Sequence, residues 1–193
     1  HFLVATGSAP RVPPGVAVDG ALVVTSDHVE HLPRFPESMV IVGAGVIGCE
    51  YATIFANFGR TRVSLIDRQP RILPFEDEDG AEAVSRNFER MGVHIHRESS
   101  LQSLEARDGR VRYVVCDREG KGCEPLDVER ALVSIGRVPN TRGLGLEAAG
   151  VALDKNGGVV ATDTRSSSPH VYAAGGVTSD TALVNVAELE GRH

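Results

Sequence analysis

The segment Ser38 to Asp67, SMVIVGAGVIGCEYATIFANFGRTRVSLID, constrains the fold of this 193-residue chain more than any other. An apolar run, Met39 to Val42, enters Gly43-x-Gly45-x-x-Gly48. A helical pattern follows, and a second β-branched run ends at Asp67. Strand, glycine turn, helix and acid-closed strand make up the βαβ unit that takes dinucleotides. Gly43 permits the tight turn, Gly45 lets the backbone approach a pyrophosphate, and Gly48 lets helix and strand pack closely. The helix start, with Val46 and Ile47, presents free N–H groups and a positive dipole end to that pyrophosphate. Asp67 lies 19 residues beyond Gly48, where a carboxylate can accept hydrogen bonds from ribose hydroxyls.

The surroundings of the glycine turn support the same reading. Ile47, Tyr51, Ile54, Phe55 and Phe58 recur at helical spacing and predict one buried helix face, with Gly59 as the C′ stop. Arg62 to Ile66 then alternates into a buried strand. Asp67 repels a 2′-phosphate and favours NAD(H). The neighbouring Arg68 could pair with such a phosphate, which leaves NADP(H) open.

Composition narrows the partners. A hydrophobic fraction of 41% with 24% charged residues is ordinary for a globular protein. A net charge of −6 with no basic stripe argues against nucleic acid. No run approaches the ~18 apolar residues of a membrane span, and no secretory signal is visible. Cys49, Cys116 and Cys123 are odd in number and lack metal spacing, which argues against structural disulfides and zinc and for a reducing cytoplasm. Cys49 reads as a small packing residue, and His94 with His96 as a packed or solvent-facing pair, not a metal site. The chain starts at His1 in an apolar strand and stops in a helix-like run, so a piece of a longer protein is expected.

The predicted class is α/β: a Rossmann-like parallel sheet over residues 38–150 with a three-stranded antiparallel insertion. The insertion comprises Leu101 to Arg107, the Asp108-Gly109 turn, Val111 to Cys116, and residues 124–128. Before it, a helix opens on Glu76, Asp77, Glu78 and Asp79, buries Ala83, Val84, Phe88 and Met91, and ends at Gly92. Ser26 is the expected cap of a helical turn through His31. Residues 1–37 and 151–193 have too few apolar positions for a core of their own and are expected to pair with each other.

Three separated motifs carry a resemblance. Phe2-Leu3-Val4-Ala5-Thr6-Gly7-Ser8-Ala9-Pro10 resembles the "ATG" turn of the flavin-dependent pyridine nucleotide–disulfide oxidoreductases. Gly43-Ala44-Gly45-Val46-Ile47-Gly48-Cys49-Glu50 resembles their NAD(P) fingerprint. Ser134-Ile135-Gly136-Arg137-Val138-Pro139-Asn140, followed by Val171-Tyr172-Ala173-Ala174-Gly175, resembles their second junction and flavin-contacting strand. Within that family the transhydrogenase and dihydrolipoyl dehydrogenase branches look nearest. The resemblance implies a central NAD(P)-binding domain flanked by two pieces of an FAD domain, 1–37 and 151–193. It further implies hydride transfer between nicotinamide and FAD in a homodimeric parent, with the fragment alone inactive.

By the same resemblance Glu50 approaches the nicotinamide, and it is the candidate catalytic residue. A simple helix-dipole partner in the first turn is the other reading of that position. Gly136 lies near the bound nicotinamide, and Thr6, Gly7, Gly175 and Gly176 near the flavin. The family's cysteine pair is absent, and Gly176 stands where the family has an aspartate. Flavin is then held without that carboxylate, weakly, or with help from a group such as Asp180. A non-catalytic NAD(H)-responsive module that has lost flavin contacts is the alternative function. A Rossmann domain for a different ligand is the third.

Overall fold

The computed structural model describes residues 1–178 and 182–192, so Asp180 lies outside the described residues. In chain order the strands are β1 (Phe2–Val4), β2 (Ser8–Pro10), β3 (Val23–Thr25), β4 (Ser38–Val42), β5 (Arg62–Ile66), β6 (His94–His96), β7 (Ser99–Arg107), β8 (Arg110–Asp117), β9 (Glu124–Val128), β10 (Arg130–Val133), β11 (Arg137–Pro139), β12 (Ala161–Thr162), β13 (Arg165–Ser166) and β14 (Val171–Ala173). The helices are α1 (Val46–Asn57), α2 (Glu78–Arg90) and α3 (Val184–Glu190). The chain divides into two compact units, Pro10–Gly136 and His1–Ala9 with Arg137–His193.

Pro10–Gly136 is built on a parallel sheet of order β3-β10-β4-β5-β6. β4 runs at its centre and is buried at all five positions. A strand between two parallel neighbours is covered on both faces, which is why Met39 to Val42 is apolar without alternation. On one face Met39, Ile41, Leu65 and Leu132 pack with Phe55 of α1 and Phe88 of α2. On the other, Val40, Val42, Ile66 and Val133 meet Val111, Tyr113 and Val115 of the antiparallel sheet β7-β8-β9. The β7–β8 hairpin turns on Asp108 and Gly109, both left-handed (φ 50° and 76°), the geometry a two-residue hairpin requires. β3, grouped in the sequence with residues 1–37, is an edge strand of this parallel sheet beside β10.

Several local expectations are corrected. The buried face of α1 is Gly48, Cys49, Ala52 and Phe55, while Ile54 and Phe58 are 39% and 77% exposed. Close approach of helix to sheet selects small residues there, so size marks the contact better than hydrophobicity does. Arg60, not Gly59, adopts the left-handed conformation after the helix (φ 51°). Gly59 serves a different need, since a Cβ there would lie 2.5 Å from the Phe35 ring. Thr25, not Ser26, caps the turn through His31: its Oγ1 pairs with His28 Nδ1 at 2.9 Å. Asp77 caps α2 by accepting from Gly80 N at 3.0 Å, and the helix turns Ala81, Ser85 and Phe88 inward while Ala83 faces solvent.

Cys116 and Cys123 form a disulfide, contrary to the expectation drawn from cysteine count. The β8–β9 register sets Val115 opposite Glu124 and so brings the two cysteines together across the turn. Asp117 Oδ1 holds that turn by accepting from Glu119 N and Lys121 N at 3.0 and 2.7 Å. His94 and His96 stack edge to face with ring centroids 4.3 Å apart. Among the described residues no group of three or more His, Cys, Asp or Glu could hold a metal ion, and no helix is long and apolar enough to cross a membrane.

The other unit carries a small sheet, β1-β14-β13-β12, in which β1 and β14 run parallel. It has a core of its own, which the sequence had not led us to expect: Leu146, Val151, Val159, Val171, Ala173 and Val177. Val159 N donates to Val177 O at 2.9 Å and folds the long loop back onto the strand end.

Candidate functional site

Three neighbouring parallel strands, β10, β4 and β5, release their C-terminal ends side by side. They deliver Ser134, Gly43 and Asp67 to one spot, the place where open α/β sheets bind ligands. Gly43 leaves β4 with φ 103°, its N–H donating to Ile66 O at 2.9 Å. A Cβ on Gly43 would lie 2.5 Å from Ser134 O. A Cβ on Gly48 would lie 1.9 Å from Gly43 O, so the third glycine is what lets α1 start against the turn. Gly45 caps α1 with extended backbone (φ −76°, ψ −171°), and a Cβ there would meet nothing within 4 Å. Its protein-free side leaves room for a ligand against the first N–H groups of Val46 and Ile47.

Asp67 is fixed from both sides. Its Oδ2 accepts from Ala44 N at 2.7 Å and its Oδ1 from Gln69 N at 2.8 Å. Each oxygen keeps further acceptor capacity, enough for two hydroxyl donors. Arg68 follows it on the exposed surface. Glu50 is exposed and stands beyond the first turn of α1, which holds no acid; this corrects the helix-dipole reading of Glu50. Gly136 is exposed with φ 102°, and its carbonyl accepts from Arg11 N at 2.9 Å. Cys49 is the free cysteine and is buried; burial first, then the charge of Asp67, pushes its thiol up to about 12. It is an inert packing group.

The residues expected near flavin lie in the other unit. Asn140 ties Thr6 and Gly7 three ways: it accepts from Thr6 Oγ1 at 2.7 Å, its Nδ2 donates to Thr6 O at 3.0 Å, and its N donates to Gly7 O at 2.9 Å. Gly175 N donates to Glu190 Oε2 at 2.6 Å. A Cβ on Gly176 would lie 2.8 Å from Ser8 Oγ, which itself accepts from Arg137 Nε at 2.8 Å. Arg137 thus supports the loop at Ser8. A cavity of about 850 Å³ in this unit is lined by Thr162, Asp163, Thr164, Arg165 and Tyr172, none of them an expected site residue.

Ser134 was not among the expected contacts. A serine closing a buried strand carries no pattern, and only the spacing Ser-x-Gly before Arg137 hinted at a constrained turn.

Comparison with known proteins gives a consistent picture. The sequence profile of the pyridine nucleotide-disulphide oxidoreductase family matches residues 1–191. A dihydrolipoyl dehydrogenase of Chlorobaculum tepidum is 35% identical over 192 residues, covering 98% of this chain and 40% of the relative. The dihydrolipoyl dehydrogenase of Bacillus subtilis is 36% identical over 191 residues, 99% of this chain and 41% of that protein. Among solved structures, LpdA of Mycobacterium tuberculosis superposes with a TM-score of 0.88 at 31% identity, over 98% of this chain and 40% of its own. The HOCl-induced flavoprotein disulfide reductase of Escherichia coli gives 0.84 at 26% identity, over 98% and 42%. The chain therefore spans about 40% of the length of these relatives.

Proposed function

Because the chain belongs to the pyridine nucleotide-disulphide oxidoreductase family, we propose that Pro10–Gly136 is the nicotinamide-dinucleotide-binding part of a flavoprotein oxidoreductase. The remaining unit contributes part of the flavin-binding portion. The observation that carries this reading is the carboxylate of Asp67, pinned by Ala44 N and Gln69 N with acceptor capacity to spare. A carboxylate so held cannot swing aside for a 2′-phosphate, which supports NAD(H) over NADP(H).

In this reading Gly45, Val46 and Ile47 bind the pyrophosphate, Asp67 grips the adenosine ribose, and Glu50 and Gly136 border the nicotinamide. Thr6, Gly7, Gly175 and Gly176 fit a partial flavin cradle; flavin, when bound, supplies the electron-accepting ring. The activity proposed for the whole protein is hydride exchange between nicotinamide and flavin, of a dihydrolipoyl dehydrogenase or transhydrogenase type. The 193-residue chain alone binds nucleotide without turnover.

The test is paired NADH and NADPH titration of the wild type, Asp67→Ala and Arg68→Ala. NADH binds more tightly to the wild type, and Asp67→Ala removes that preference. Equal affinities untouched by either change overturn the ribose assignment.

Gly176 favours a second reading, an NAD(H)-responsive module without catalysis, because glycine offers flavin no carboxylate. A full-length preparation that retains stoichiometric FAD and oxidises NADH eliminates it.

A further inference from the structure

The peptide between Gly43 and Ala44 is held at both ends. Its N–H donates to Asp67 Oδ2 at 2.7 Å, and its carbonyl accepts from Ser134 Oγ at 3.0 Å. Asp67 belongs to the segment after β5 and Ser134 to the segment after β10, so two different strands set the orientation of one peptide plane. Ser134 is itself registered on β4, with its N–H donating to Val42 O at 2.8 Å. Its single hydroxyl proton is shared between Gly43 O and Val42 O, the latter at 3.1 Å.

From this clamp we infer that Ser134 is a positioning residue for the pyrophosphate-binding turn, a role that rests on the dinucleotide reading above. The steric setting makes the hydroxyl decisive. Gly43 O presses on Gly48, where a Cβ would lie 1.9 Å from that carbonyl and 3.0 Å from Ser134 Oγ. The carbonyl therefore has little freedom toward the helix, and the hydroxyl satisfies it on the strand side. Without that donor the peptide turns to find another partner. The turn carries Ala44 N off Asp67 and shifts the entry of Gly45, Val46 and Ile47, whose N–H groups point at the pyrophosphate. Ser134 touches no phosphate itself. It fixes the plane from which the phosphate-facing donors are launched.

The experiment measures the affinity of the 193-residue chain for NADH, ADP-ribose and adenosine in wild type, Ser134→Ala and Ser134→Cys, with the thermal unfolding midpoint recorded for each. The expected result is about tenfold weaker binding of both pyrophosphate-bearing ligands to Ser134→Ala. Adenosine affinity falls by less, because Gln69 N still holds the Asp67 carboxylate at Oδ1, and the midpoint moves by a few degrees. Ser134→Cys, of similar volume with a weak S–H donor, falls between. Equal losses for all three ligands, or none, overturn the inference while the dinucleotide reading stands. If Ser134→Ala does not fold, the same ligand pattern in Ser134→Cys decides. If neither variant folds, the residue is structural and the inference fails. A wild type that binds neither NADH nor ADP-ribose brings down both the inference and the reading beneath it.

Discussion

Arg34 grips Glu129 with two nitrogens, Nη2 2.6 Å from Oε1 and Nη1 3.3 Å from Oε2. The Glu129 carboxylate also accepts from Glu37 N at 2.8 Å, so one acid joins the segment before β4 to the turn before β10. Glu129 is 9% exposed. Burial alone would push its carboxyl up, but the Glu37 N–H, the Arg34 hydrogen bond and the charges of Arg34 and Arg130 together hold it below the usual range.

A folded-state value below the unfolded one means that the stabilisation is fully present above the ordinary carboxylate range and is lost as pH falls through the lowered value. Glu129→Ala should cost about 2 kcal/mol by leaving Glu37 N unpaired and the Arg34 guanidinium without a partner. Arg34→Ala, on the exposed side of the pair, should cost under about 1 kcal/mol. Urea unfolding at neutral pH measures both, and equal costs would contradict the asymmetry.

Gly45 and Gly48 should respond differently to alanine. Gly48→Ala drives a methyl into Gly43 O and should lower stability by about 1–3 kcal/mol, with loss of nucleotide binding. Gly45→Ala meets no protein atom, so the unfolding midpoint should hold while NADH affinity falls. Thermal melts with and without NADH separate the two. A Gly45→Ala protein that binds normally would remove the pyrophosphate from that spot.

His96 should make the fold acid-sensitive. Burial pushes its imidazole down, the neighbouring His94 adds to this, Glu124 opposes it, and Nε2 is buried with no partner among the described residues. With a lowered folded-state value, the stabilisation is complete above about pH 6.5 and declines as pH falls through that value. His96→Gln should flatten the midpoint-against-pH curve below about 6.5. Parallel curves for wild type and variant would disprove the assignment.

Reduction of Cys116–Cys123 should leave the hairpin intact. The bridge closes a short loop, and opening it should lower stability by roughly 2 kcal/mol. The β8–β9 pairing and the Asp117 turn remain to hold the strands. Alkylation after mild reduction should label Cys116 and Cys123 but not buried Cys49 until the chain unfolds. Labelling of all three at once would indicate that the bridge secures the whole unit.

Residues whose backbone or volume leaves no choice were legible from the sequence. Gly43 must turn, Gly48 must be bare, and an acid must close β5; residue type alone discloses each. The inward face of α1 was misread because Ile54 and Phe58 are large and apolar yet point outward, while Gly48 and Ala52 touch the sheet. Cys116 and Cys123 pair through a strand register that cysteine arithmetic does not contain. Ser134 escaped notice for a related reason, since its partner is a carbonyl 91 positions away.

The sheet order has a consequence for how nucleotide and chain depend on one another. Asp67, Gly43 and Ser134 follow strands that are neighbours in space but separated by up to 91 positions along the chain, the interval between Gly43 and Ser134. No fragment lacking β10 or β5 can assemble the pocket, and a ligand held there favours only the fully docked sheet. Nucleotide should therefore raise the melting temperature of Pro10–Gly136 as one cooperative body, so that titrating it tests whether the domain has folded at all.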